Sequence, residues 1–232
     1  DKMDKMRRAL AGWMKDEKCE GSPSPSCVNE GVGGNDAVRF PCPADPALSP
    51  GDPDYATEAR SGGTCDSSLE IAGGDVYRGV FPANTVGLAS DTMIDPYGNK
   101  YSYAVTAGAT QTDALVNTDV EGQITVINHD DATEQDNAMF ALYSHGSSGS
   151  GAYTRHGEDL PEGSAKEQEN TDDNATFRYS EGQYRAEGSG YFDDTLAFNL
   201  VDEEDDEWWF SDNGGQSITQ RNPGSVIMGN KD

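Results

Sequence analysis

The stretch "DPYGNKYSYAVT", Asp95 to Thr106, holds the clearest turn and strand signal in the chain. Asp, Pro, Tyr and Gly in that order match the preferences of a type I turn, with Pro supplying the fixed φ of its second position. In the segment that follows, Tyr101, Tyr103 and Val105 alternate with Ser102 and Ala104, the period-two pattern of a half-buried strand. Further strands are expected in "GQITVINHD", "NAMFALYSHG", "ATFRYS", "DTLAFNLVD" and "EWWFS", joined by Gly- and Asp-rich turns. Their spacing predicts antiparallel meanders with no βαβ unit.

One segment has a different period. In "DKMDKMRRALAGWMKDEK" the residues Met3, Met6, Leu10, Trp13 and Met14 recur at helical spacing, with charged residues on the other face. The expected fold class is therefore α+β: an N-terminal amphipathic helix packed on an antiparallel β-sheet, loop-rich and tied by disulfides. A single domain over 1–232 is expected. Its parts are a helix over 1–18, disulfide-tied loops over 19–75, a sheet region over 76–210 and a C-terminal tail over 211–232.

Sixteen basic residues against 42 acidic ones give a net charge of -26 over 232 residues. Such a field repels phosphate backbones and anionic lipid surfaces, which excludes nucleic acid as a partner. Hydrophobic residues make up 34%, and 27 glycines and 11 prolines mark a turn-rich chain. The sequence contains no run of about 18 apolar residues.

The four cysteines, Cys19, Cys27, Cys42 and Cys65, lack the paired C-x2-C knuckles of zinc sites and point to disulfides and an oxidising compartment. Four cysteines allow three connectivities, of which Cys19–Cys27 with Cys42–Cys65 closes the shortest loops. Cys42 stands between two prolines in "RFPCPADP", Arg39 to Pro46, which holds it in a stiff extended segment.

Catalytic motifs are missing. His129, His145 and His156 fall in no ligand spacing, and "SHGSSGSG", Ser144 to Gly151, fails the G-x-S-x-G pattern because Ser150 stands where the second Gly belongs. That segment reads as a turn. Oxygen donors for calcium are abundant around it, at Asp193–Asp194 and in "DEEDDE", Asp202 to Glu207, although no EF-hand loop occurs. Trp208, Trp209 and Phe210 offer a partner or sugar platform if exposed.

The order of these motifs carries a resemblance. The helix "MDKMRRALAGWM", then "RFPCPADP", a Gly-rich loop to a second Cys, "GVFPANTVGL", "DPYGNKYSYAVT", the Ser-Gly turn and the "YFDDTLAF" strand together resemble the soluble part of bacterial type IV pilin-like and type II secretion pseudopilin proteins. The likeness runs from Asp1 to about Val201. It implies a filament subunit and not an enzyme, with an apolar helical segment ahead of Asp1 that anchors it in the inner membrane. It further implies other pilin or pseudopilin subunits as partners, and a place at the periplasmic face of that membrane or in an extracellular filament. Cys42 and Cys65 match the family's loop disulfide. No cofactor is required, but major pseudopilins hold calcium between the Ser-Gly turn and the last strand, and Asp193 and Asp194 are the nearest match by position. The turn here departs from the family in lacking its usual Asp. A secreted acidic binding module, adhesin-like or carbohydrate-binding, is the alternative reading.

Overall fold

A computed structural model describes residues 2–16, 39–111, 114, 120–180, 184–185, 190–198, 207–211, 216–221 and 225–230. Cys19 and Cys27 lie outside the described residues, as does the acidic run up to Asp206.

The principal sheet is five-stranded, in the order β12-β8-β5-β4-β3. Its members are β3 (Glu70–Ile71), β4 (Val76–Val80), β5 (Ser102–Thr106), β8 (Phe140–Ser144) and β12 (Thr195–Ala197), and every pair in it is antiparallel. A second sheet joins β6 (Ile124–Ile127) to β7 (Thr133–Ala138) antiparallel and to β9 (Thr176–Arg178) parallel. Two-stranded ribbons pair β1 (Arg60–Ser61) with β2 (Thr64–Cys65), and β10 (Tyr184–Arg185) with β11 (Tyr191–Phe192). A meander of β13 (Glu207–Ser211), β14 (Gln216–Arg221) and β15 (Ser225–Asn230) falls across the expected tail.

The α+β expectation is corrected by this architecture. The fold is sheet-rich, with mixed as well as antiparallel pairing. Among the described residues, α1 (Lys2–Asp16) is the one helix longer than a single turn or so. The physical reason lies in periodicity. Only the first segment has an apolar stripe at helical spacing, while the chain beyond it is broken by Gly and Pro into short stretches that gain backbone hydrogen bonds only by pairing across the fold. None of the described helices is long and apolar enough to cross a membrane.

Two apolar cores flank the principal sheet. One gathers Tyr103, Val105, Phe140 and Leu142 with Met6, Leu10 and Met14 of α1. The other gathers Ala104, Ala141 and Tyr143 with Val126 and Phe177 of the second sheet. Strand β5 is consequently buried along its whole length, not on one face as its alternation predicts. Small residues at 102, 104 and 106 let the second sheet approach closely.

The disulfide Cys42–Cys65 is present, with Cα atoms 5.4 Å apart. It fastens the Pro-Cys-Pro segment to β2. Beside it the Arg39 guanidinium forms a bidentate pair with Glu58, both bonds 2.9 Å, and Glu58 also accepts from the Cys42 N–H. Burial opposes ionisation of Glu58, but the Arg39 hydrogen bonds and charge outweigh it and hold this carboxyl below its usual value.

Candidate metal centre

The antiparallel register of β8 and β12 places Thr195 opposite Ser144. The residues just before β12 therefore lie against the turn that follows β8, so Asp193 and Asp194 face the Ser-Gly turn. The "DPYG" turn is fastened to the same strand end. Asp95 Oδ1 accepts the N–H groups of Tyr97 and Asn99, while Oδ2 accepts from Ser144 Oγ at 2.6 Å.

Gly146 has φ +59°, and a Cβ built there would fall within contact distance of the Asp193 carboxyl and carbonyl. Glycine is required here for both the backbone conformation and the close approach. Ser147 and Ser148 then wrap Asp193. Its Oδ2 accepts from Ser147 Oγ at 2.8 Å, Ser148 N–H at 3.0 Å and Tyr191 OH at 2.9 Å. These bonds outweigh the opposing effect of burial and lower the Asp193 pKa.

A third carboxylate arrives from α2 (Ala165–Gln168), whose "SAKE" start is a capping box. Ser164 N–H donates to Glu167 Oε2 at 2.8 Å, which leaves Glu167 Oε1 turned to Ser148 Oγ, also at 2.8 Å. Glu167, Asp193 and Asp194 are 2%, 1% and 2% exposed, and one oxygen of each lies within 4.8 Å of the others.

Positive charge is scarce at this centre. Among the described residues no lysine or arginine forms a salt bridge with any of the three. Ser148 Oγ lies within reach of Glu167 Oε1, Asp193 Oδ1 and the His145 carbonyl, yet a hydroxyl has one proton to give. Asp194 Oδ2 accepts from Asn170 at 2.8 Å, but its Oδ1 is buried without a partner. Burial, with the neighbouring Glu167 and Asp193 charges, raises the Asp194 pKa well above the carboxylate norm.

This donor set fits a hard divalent cation. Calcium takes oxygen ligands at about 2.3–2.6 Å, so ligand oxygens on one ion lie up to roughly 5 Å apart, the span of this cluster. The orphaned Asp194 Oδ1 is the atom a cation would satisfy. Glu167 carries no ligand-spacing signal in the sequence; its only trace there is the Ser-x-x-Glu cap.

The remaining candidates do not join this centre. Cys42 and Cys65 are bonded to each other and are not among the clustered ligand groups. Trp208, Trp209 and Phe210 stand on β13 opposite Gln220, Thr219 and Ile218, with their side chains outside the described residues. Comparison of the chain with protein-family models, with curated proteins and with solved structures finds no match.

Proposed function

We propose that the chain is a filament subunit of the pilin or pseudopilin type, and that Glu167, Asp193 and Asp194 hold a calcium ion. The observation that carries the reading is the buried, charge-deficient carboxylate centre at the junction of the Ser-Gly turn with the last strand of the principal sheet. The resemblance in motif order puts calcium at that junction. The Cys42–Cys65 staple, in the segment between α1 and the sheet, also supports it.

In this reading the protein does mechanical work. A bound calcium ion would offset two of the three carboxylate charges and pin β12 and α2 to the turn after β8, rigidifying the edge of the sheet. The disulfide holds the loop that precedes the sheet. Together they would present a stable outer surface, with assembly driven by an apolar helical segment ahead of Asp1 seated in the inner membrane.

Electron microscopy of cells carrying the complete gene tests this. Filaments that label with antibody to this chain, and that are depleted by chelation or by Asp194→Asn, are the expected result. A freely soluble monomer with neither filaments nor a membrane-bound pool overturns the reading.

A further inference from the structure

The face of the principal sheet opposite α1 opens, beyond its apolar core, into a cleft of about 510 Å³. That volume suits one small organic ligand. The floor is polar. Ser102 of β5 and His145, just past β8, meet there, with Ser102 Oγ 2.9 Å from His145 Nε2. His145 is 1% exposed, and its Nδ1 is buried without a hydrogen-bond partner. Among the described residues no carboxylate is hydrogen-bonded to this imidazole, and burial, with the Arg78 charge adding to it, holds its pKa down at about 4. The pair therefore lacks the means to activate a serine, and the floor is built for binding.

One wall is formed by Tyr153, Leu160 and Pro161, an apolar and aromatic surface of the sort on which the face of a sugar ring packs. The rim carries Glu70, Asp159, Glu162 and Asp173, all exposed. The one cation of the lining, Arg78, is engaged already. Its Nη1 donates to the Asp172 carbonyl, and its Nη2 lies 3.8 Å from the Asp173 carboxylate. With four carboxylates against one occupied guanidinium, the field at the mouth repels phosphates and uronic acids and attracts a cation.

We propose that this cleft binds an amino sugar, a pyranose ring carrying an ammonium group, with the ring against Tyr153 and the ammonium among the rim carboxylates. The inference goes beyond the filament reading and stands or falls independently of it.

The test is an NMR titration of the protein with glucosamine, with glucose and glucuronate as comparisons. The expected result is saturable binding of glucosamine, at least about tenfold tighter than glucose, with no response to glucuronate and shifts centred on Ser102, His145 and Tyr153. The double variant Asp159→Asn, Glu162→Gln alters only exposed side chains and should weaken glucosamine at least about tenfold while leaving the melting temperature and the glucose response unchanged. Equal affinity for glucose and glucosamine, no saturation by either, or an unaltered response in the folded double variant would overturn the proposal.

Discussion

At the proposed calcium site, Asp194 would couple pH, cation binding and stability. Without calcium its pKa is raised well above the usual range, because it is buried and faces Glu167 and Asp193. The folded pKa thus lies above the unfolded value of about 3.8, and between the two the native state binds the extra proton. This group's contribution is fully present below pH 3.8 or so and is lost as pH rises toward the folded value, at about 1.4 kcal/mol per unit. Asp193 runs the other way, since its lowered pKa gives a contribution that is lost as pH falls through the folded value. Calcium held at the proposed site would remove the Asp194 cost by displacing the proton. At about a hundred times its Kd it adds about 2.7 kcal/mol, which for a chain of this size raises Tm by roughly 5–11 °C. Asp194→Asn retains an acceptor for Asn170 but cannot titrate or carry charge. Scanning calorimetry from about pH 4 upward, in chelator and in calcium, should show a wild-type Tm that falls as pH rises toward the folded Asp194 pKa only in chelator. The variant should lack that fall and lose most of the calcium response. A wild-type Tm indifferent to calcium, with a variant curve parallel to it at every pH, would mean that Asp194 neither titrates in the fold nor binds the cation.

Two glycines provide a matched contrast by denaturant midpoint. Gly146→Ala meets Asp193 at φ +59° and should cost at least about 2 kcal/mol, whereas Gly12→Ala in α1 enters open space and should add about 0.5–1 kcal/mol. Equal effects would contradict the cradle drawn around Asp193. Reducing Cys42–Cys65, 23 residues apart, should cost about 3 kcal/mol by loop closure; an unchanged melt in reductant would remove its structural role. Lys100 is fully buried, with Nζ donating to the carbonyls of Pro46 and Leu48 at 2.8 and 2.6 Å, and burial lowers its pKa to about 8. Since the unfolded amine titrates near 10.5, the unfolded state binds more protons between those values. The wild type should gain stability relative to Lys100→Met as pH rises through that window, and a difference independent of pH would count against it.

Local patterns carry much of this fold. The helical stripe from Met3 to Met14 and the alternation through Tyr103 and Val105 both describe real elements, because each encodes its own period. The class does not follow from them. A single strong helical signal gives α1 more weight than a turn-rich chain warrants, while two-residue strands such as β1, β2, β10 and β11 have no period and exist only through pairing. Ser102 and Ala104 look like an exposed face because small residues are as compatible with close packing as with solvent. The candidate centre is half legible. Asp193 and Asp194 stand out by position, but Glu167 is brought in by tertiary packing of α2 and the orphaned Asp194 Oδ1 is a three-dimensional fact. The meeting of Ser102 with His145, 43 residues apart, leaves no mark in spacing.

Determining the coding sequence immediately upstream of Asp1 decides whether the chain is a filament subunit. A filament subunit of this type would carry a short basic leader, a Gly at the cleavage point, and an apolar run that begins with Phe and has Glu near its fifth position. An ordinary cleavable signal peptide ending just before Asp1 would rule it out.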